Sequence, residues 1–241
     1  MEKKTLKLQM MIPSLFTICA FLFGLNGIRL AILGDIKGAI FSIGVSAVLD
    51  LLDGRVARML MANSQFGAEL DSLSDVVCFG VAPAFIVLFS QDFYNNFLYL
   101  GVSFFAVGSL LRLARFNVVQ DYPEYYKDFF VGVPTPAGCI VALLPLSFGN
   151  AFDILINSTF YSIYLIFIGF LMISNIPTLL PKSIRISKKF IPFLFLIFAF
   201  MLASIVIYTW LFITFIGFAY FMSIIFTYKS FVNKKKQLKK L

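Results

Sequence analysis

Long apolar runs follow one another along almost the whole chain, and short polar or glycine-containing stretches separate them. Most of them have about 17 to 25 residues, the length that an α-helix needs to cross about 30 Å of hydrocarbon. Helices are the expected form because lipid offers no partner to an unpaired backbone group. The boundary near Tyr208 is the weakest, since no polar loop separates the last two runs. The pattern predicts about eight transmembrane helices, at 12–33, 38–62, 68–90, 95–118, 134–149, 157–180, 190–207 and 210–230.

The composition places the chain among integral membrane proteins. Of its 241 residues, 60% are hydrophobic and 13% are charged, which is far from the values of a soluble domain. The apolar runs leave no room for an appended soluble domain, so we expect a single all-α membrane domain at 1–241. Its parts are an N-terminal segment at 1–11, a six-helix core at 12–180, two additional helices at 190–230 and a basic tail at 231–241.

Histidine is absent, and the three cysteines lie inside apolar runs. The lack of histidine excludes Ser-His-Asp triads and imidazole proton transfer, so any acid–base chemistry must use carboxylates. The spacing of Cys19, Cys78 and Cys139 suits neither a disulfide framework nor a zinc site. We expect all three to be small buried side chains.

The basic residues predict the orientation in the membrane. If the N-terminus is cytoplasmic, all but two of the 20 Lys and Arg residues lie on the cytoplasmic side, the exceptions being Arg29 and Lys37. Both termini then share that side, which requires an even number of spans, whereas seven spans would leave one basic terminus outside. The lysine run in the tail suits either a topology anchor in solvent or a site for anionic headgroups. We expect no nucleic-acid partner.

Four carboxylates lie at the predicted cytoplasmic ends of the second and third helices. Asp50 and Asp53 are three residues apart, and Asp71 and Asp75 are four apart, so each pair projects from one helical face. A short connection makes the two helices antiparallel. The four carboxylates are therefore expected to converge.

Four acidic groups at membrane depth need a compensating cation, because each costs on the order of 2.5 to 3.5 kcal/mol on an insertion scale. Carboxylate oxygens suit Mg²⁺ or Mn²⁺, and two such ions would balance four negative charges. Paired metal ions are common where phosphorus is attacked, so a phosphate substrate is the resulting hypothesis. Gly54 and Ala57 leave the same helical face free of bulky side chains, and Arg58 beyond them can bind a diphosphate.

The segments Asp50-Leu-Leu-Asp53-Gly54-Arg-Val-Ala57-Arg58 and Gly67-Ala-Glu-Leu-Asp71-Ser-Leu-Ser-Asp75 resemble the signature of the CDP-alcohol phosphotransferase family. That signature, D-x-x-D-G-x-x-A-R-x8-G-x3-D-x3-D, is matched at each of its fixed positions. The resemblance implies that Asp50, Asp53, Asp71 and Asp75 hold the metal ions and that Asp75 is also the general base. It further implies a set of residues for the CDP-lipid, namely Gly54, Ala57, Arg58, Ser64, Gly67, Ser14 and Thr17. The family commonly has Pro-Asn-x-x-Thr near the first helix, where this chain has Pro13-Ser14-Leu-Phe-Thr17.

Two further stretches bear on the acceptor alcohol. Arg112-Leu-Ala-Arg115-Phe-Asn117 ends the predicted fourth helix, and Gly132-Val-Pro134-Thr135-Pro136-Ala-Gly138 opens the fifth on the same side. Arginines and a helix N-terminus could receive a carboxylate, so an amino acid is a plausible acceptor. Without a family, the two stretches also fit positive-inside arginines and a proline-initiated, closely packed helix.

These stretches resemble the corresponding segments of the bacterial, membrane-spanning phosphatidylserine synthases, and the likeness runs from about Ile12 to Leu146. It implies a cell-membrane enzyme with a cytoplasmic site, CDP-diacylglycerol and L-serine as substrates, a divalent metal cofactor and a homodimer. Candidate acceptor residues are then Arg112, Arg115, Asn117 and Thr135. Glycerol 3-phosphate and choline stay open as acceptors, and a carboxylate-based ion transporter is the alternative from another class.

Overall fold

The computed structural model describes residues 8–59, 64–91, 96–118, 126, 129–179, 203–204 and 206–238. Most of these residues are helical, and one pair of short strands completes the fold. The helices are α1 Leu8–Ile32, α2 Ile36–Met59, α3 Gln65–Asp75, a π-helical turn Val76–Val81, α4 Ala82–Ser90, α5 Asn96–Val118, α6 Thr135–Ala142, α7 Leu144–Phe152, α8 Ser158–Ile173 and α9 Thr209–Leu238. The strands are β1 Phe129–Val131 and β2 Pro177–Leu179.

Five described helical spans are long and apolar enough to cross a membrane: Ile12–Ile32, Gln65–Ser90, Asn96–Val118, Thr135–Phe152 and Thr209–Lys235. The chain is therefore a multi-pass membrane protein. Of the other predicted helices, 38–62 corresponds to α2 and 157–180 to the 16-residue α8. The predicted helix 190–207 lies almost wholly outside the described residues.

Helices α1 and α2 form an antiparallel pair joined by a tight turn at Gly34, whose φ is +81°. Small and polar residues let the two backbones approach: Ser42 donates to the carbonyl of Phe23 at 2.7 Å, and Ser46 donates to that of Ala20 at 2.8 Å. Such hydrogen bonds satisfy hydroxyl groups that lipid could not. The pairing brings the start of α1 next to the end of α2.

The next span, from α3 to α4, is interrupted by the π-helical turn directly after Asp75. Pro83 explains the irregularity, because it has no N–H to donate to the carbonyl four residues earlier, at Phe79. Turns of this kind widen a helix locally and are frequent at functional sites. A similar break separates α6 from α7 around Leu143, two residues before Pro145.

Glycines allow the backbones of α5 and α8 to come into direct contact. A Cβ on Gly108 would lie 2.9 Å from the Cα of Gly169, and one on Gly101 would lie 2.7 Å from the Cα of Ser162.

Of the cysteines, Cys78 and Cys139 are buried as expected, but Cys19 is exposed on α1, so the prediction for Cys19 was wrong. Its apolar neighbours in the sequence did not reveal which face of α1 turns away from the protein.

Two predicted helix ends were wrong. The helix predicted at 157–180 ends at Ile173, and β2 follows it in antiparallel pairing with β1, Phe130 facing Thr178. Pro177 favours this change, because the residue before a proline avoids helical geometry. The last helix continues to Leu238 instead of ending near 230, so the basic tail starts as helix. Lysine, glutamine and leucine are all good helix formers.

Candidate active site

Three aspartates converge where α2 ends and α3 begins. Asp50, Asp53 and Asp71 each place a carboxylate oxygen within 4.8 Å of the other two. Asp53 is buried, with 5% of its surface exposed, while Asp50 and Asp71 are half-buried. The sequence predicted that four carboxylates converge, and three of them do so in this cluster, at the end of the molecule where α1 starts.

Thr17 holds one of these carboxylates in place. Its hydroxyl lies 2.6 Å from Oδ2 of Asp53, and the residue is 3% exposed. This hydrogen bond leaves the threonine facing the aspartate cluster, whereas the family resemblance suggests a contact to the CDP-lipid. Ser14, one helical turn earlier, is half-buried.

The fourth aspartate, Asp75, lies at the junction of α3 with the π-helical turn and beside Asp50. Its Oδ1 atom is buried and has no hydrogen-bond partner among the described residues. Arg112 is close enough for its charge to act on this carboxyl group. An acceptor atom that is buried without a donor is suited to receiving a proton or a cation.

The donor set fits hard divalent cations. All the converging groups are carboxylates, which Mg²⁺ and Mn²⁺ prefer, and the unpartnered oxygen of Asp75 adds a further ligand atom beside them. Four carboxylates so close together would repel one another without positive charge between them. The cluster can therefore hold metal, with Asp50, Asp53 and Asp71 as its core.

The surface beside the cluster has room for a ligand. No described atom lies within 4 Å of a Cβ placed on Gly54, one turn after Asp50. Ala57 is half-buried and Arg58 is exposed on the same part of α2. A small-residue face next to an arginine can admit a flat or phosphorylated group.

Ser64 and Gly67 serve the start of α3. The hydroxyl of Ser64 accepts a hydrogen bond from the N–H of Gly67 at 3.0 Å, which makes Ser64 the N-cap of this helix. The cap fixes the first turn of the helix that carries Asp71. It gives the pair a structural task that the signature alone did not indicate.

The candidate acceptor residues separate into two groups. Arg112 is 8% exposed and donates to the hydroxyl of the fully buried Thr135 at 3.0 Å, which joins α5 to the start of α6. Arg115 instead donates to the carbonyl of Ile173 at 2.9 Å and to the side chain of Asn175, where α8 ends. Asn117 donates to Ser72 of α3 at 3.1 Å. Of these four residues, only Arg112 and Thr135 share a described hydrogen bond.

One cavity adjoins the candidate acceptor arginines and another adjoins Asp50. A small one of about 130 Å³ lies between Arg112, Arg115 and the strand β1, whose three residues all line it. A larger one of about 330 Å³ is almost wholly apolar and reaches Asp50; its walls come from α2, α6 and the first turns of α9. Sequence reasoning identified neither β1 nor the part played by α9. Periodicity gives no signal for a three-residue strand, although the run Phe129-Phe130-Val131 has the β-branched and aromatic composition of one.

Comparison with known proteins matches residues 10–228 to the family model described as CDP-alcohol phosphatidyltransferase. A protein of Mycobacterium tuberculosis named CDP-diacylglycerol--serine O-phosphatidyltransferase is 35% identical over 226 residues, covering 91% of this chain and 78% of its own. Proteins of the same name from Helicobacter pylori and Methanocaldococcus jannaschii are 35% and 40% identical, each over 68% of this chain and over 70% and 75% of their own. The family model extends into α9, beyond the stretch that resembled the family by inspection. The chain belongs to the CDP-alcohol phosphatidyltransferase family.

Proposed function

We propose that this protein transfers the phosphatidyl group of CDP-diacylglycerol to the hydroxyl of L-serine, giving phosphatidylserine and CMP. The observation that carries the proposal is the convergence of Asp50, Asp53 and Asp71 beside the open face at Gly54. The relatives named for this reaction support the choice of substrates. No other described group of acidic residues is arranged in this way.

We divide the site residues into those that would hold metal and those that would bind the nucleotide. Asp50, Asp53, Asp71 and Asp75 would hold two ions of Mg²⁺ or Mn²⁺, which when bound neutralise charge on the phosphate oxygens. Gly54, Ala57 and Arg58, with Ser14, Ser64, Gly67 and Thr17 nearby, would shape the place of the cytidine diphosphate. The exposed guanidinium of Arg58 suits a diphosphate because it can donate two parallel hydrogen bonds.

The chemical step would be a direct displacement. Asp75 accepts the proton of the serine hydroxyl, whose oxygen then forms a bond to the phosphorus that carries the diacylglycerol. The bond from that phosphorus to the CMP oxygen breaks, and CMP leaves with the electron pair. The unpartnered Oδ1 of Asp75 supports its part as base. Direct displacement predicts inversion of configuration at phosphorus, and retention would contradict it.

The apolar cavity that reaches Asp50 supports a lipid substrate. It follows α2 from Asp50 back to Ile40, a distance of roughly 15 Å at 1.5 Å per residue. That is about half of a hydrocarbon core of some 30 Å, hence the depth of one leaflet. A lipid with its headgroup at the aspartates could therefore place an acyl chain there without leaving its leaflet.

Arg112 and Thr135 support an acceptor that carries a carboxylate. Their hydrogen bond joins a buried guanidinium to a buried hydroxyl group, and the charge of this arginine acts on Asp75. An arginine in a site with little water binds a carboxylate more strongly than an exposed one does. We keep Arg115 and Asn117 in the proposed acceptor region, although their described hydrogen bonds hold α8 and α3.

The proposal includes eight transmembrane helices in one domain, comprising a catalytic core at 12–180, two helices at 190–230 and the tail. In support, β2 lies at the aspartate end, whereas α9 starts at the other end, where Trp210 packs under Lys37 at 6.0 Å. These opposite ends support the prediction of a further transmembrane helix at 190–207. We also propose that the aspartate end is cytoplasmic and the membrane the cell (inner) membrane, from the charge distribution, and that the protein is a homodimer, from the family resemblance.

A competition assay tests the acceptor. Purified protein receives CDP-diacylglycerol, Mg²⁺ or Mn²⁺ and an equimolar mixture of serine, glycerol 3-phosphate, choline and inositol, and the lipid product is identified by mass spectrometry. We expect phosphatidylserine together with CMP. Another phosphatidyl lipid would contradict serine as acceptor, and no CMP with any acceptor would contradict phosphatidyl transfer. The variant Asp50→Asn serves as the inactive control.

A further inference from the structure

The two strands next to the candidate acceptor region are too short to be stable alone. β1 and β2 have three residues each and pair over Phe129 to Val131. An isolated two-stranded pair is marginal in water, so this one depends on side-chain packing. One contact that stabilises the strand pair is a hydrogen bond from the hydroxyl of Thr178 to the carbonyl of Gly132, at 2.8 Å.

The end of α9 supplies a second support. Phe231 is 6% exposed, and its ring lies 5.5 Å from that of Phe129 and 4.9 Å from that of Tyr126, measured between centroids. Lys234, one turn further, places its ammonium group 5.9 Å from the Phe129 ring. These contacts exist only because α9 continues beyond the stretch that hydropathy predicted.

The strand supported in this way forms one wall of the small cavity. Phe129, Phe130 and Val131 line it opposite Arg112 and Arg115. An apolar wall lowers the polarity around the arginines, and their attraction for an anionic group grows as the surroundings become less polar. A shift of β1 would remove this wall and change the shape of the cavity around a bound ligand.

We propose that Phe231 is a positioning residue for the acceptor, acting through β1 on the cavity beside Arg112 and Arg115. The end of α9 is thereby part of the machinery that binds a small, carboxylate-bearing alcohol, although Phe231 itself does not line the cavity. This inference rests on the proposed function. It assigns acceptor binding to a helix outside the six-helix core.

Steady-state kinetics of the full-length protein with serine and CDP-diacylglycerol test the inference. Phe231→Ala should raise the KM for serine by roughly tenfold, the loss expected when two aromatic contacts disappear. The kcat at saturating serine and the KM for CDP-diacylglycerol should stay unchanged, and Phe231→Tyr should restore the serine KM. Phe226→Ala is the matched control, since Phe226 lies on the same helix and is 69% exposed.

An unchanged serine KM in Phe231→Ala would overturn the inference, as would an equal loss of affinity for both substrates. If Phe231→Ala does not fold, Phe231→Leu, which keeps an apolar side chain but lacks the ring, is measured under the same two criteria. Failure of the proposed function is distinguishable, because the unaltered protein would then form no phosphatidylserine.

Discussion

At the scale of single residues, the contact that the structure shows for Thr17 differs from the one that the family resemblance implies. The family resemblance places Thr17 with the CDP-lipid, but its described hydrogen bond goes to Asp53. Partners of metal-binding carboxylates orient the oxygen atoms and tune their affinity for the ion. We therefore propose that Thr17, besides lying near the place of the cytidine diphosphate, supports Asp53 in the proposed metal site.

Replacing Thr17 by valine tests this assignment. Thr17→Val keeps the shape of the side chain but removes the donor, so the metal concentration needed for half-maximal activity should rise about tenfold or more. Thr17→Ser retains the hydroxyl group and is the control. An equal metal requirement in the valine variant would show that the hydrogen bond does not support the ion.

The role of Asp75 makes a second prediction at this scale. Asp75→Asn removes the proposed base and should abolish turnover while most binding of CDP-diacylglycerol persists. Asp53→Asn should weaken the binding of metal as well as lower turnover, because Asp53 belongs to the cluster of three carboxylates. Turnover and equilibrium binding of the nucleotide-lipid are measured on the same preparations. Near-normal turnover in Asp75→Asn would exclude it as the base.

At the scale of elements, hydropathy predicted the five spans that the described residues confirm, because long apolar runs have few other uses. Hydropathy did not show where α8 gives way to β2, although Pro177 is a local signal against helix at that point. It also did not show the length of α9, whose last turns combine good helix formers with the packing of Phe231 on β1. The pairing of β2 with β1 and the packing of Phe231 are tertiary contacts that hydropathy does not register.

Substituting alanine at a buried helix contact, Gly108, and at an open helix face, Gly54, should have opposite effects on stability and lipid binding. Gly108→Ala forces α5 away from α8 and should lower the thermal stability, by about 1–3 kcal/mol in unfolding free energy. Gly54→Ala meets no described atom, so the fold should be as stable as before while the KM for CDP-diacylglycerol rises. Melting temperature and lipid KM are measured for both variants. An unchanged KM for CDP-diacylglycerol in Gly54→Ala would contradict the proposal that the lipid binds against Gly54.

At the scale of the whole molecule, the chain brings its functional groups to one end of the bundle. The end of α2, the start of α3, Arg112 on α5 and Phe231 on α9 all lie there, whereas Lys37 and Trp210 meet at the other end. The aspartate cluster was predictable because helical spacing and the short connection between α2 and α3 bring those residues together. The small cavity beside Arg112 was not, because its lining comes from α5, α8 and β1, which lie far apart in the sequence.

Labelling from the two sides of the membrane tests the orientation. In a background without Cys19, Cys78 and Cys139, single cysteines are placed at Phe66, near the aspartates, and at Leu155, which is 96% exposed after α7. A membrane-impermeant maleimide should label Phe66→Cys only in inverted vesicles and Leu155→Cys only in right-side-out ones. The opposite pattern would place the site outside the cell.

Release of CMP from CDP-diacylglycerol by the purified protein tests whether carboxylate-bound metal ions serve the transfer of a phosphatidyl group to serine. It is followed with and without serine and with and without a chelator. We expect CMP and phosphatidylserine to appear one for one, only when both serine and divalent metal are present, and not in Asp50→Asn. CMP release that persists unchanged after chelation, or that does not depend on serine, would contradict this expectation.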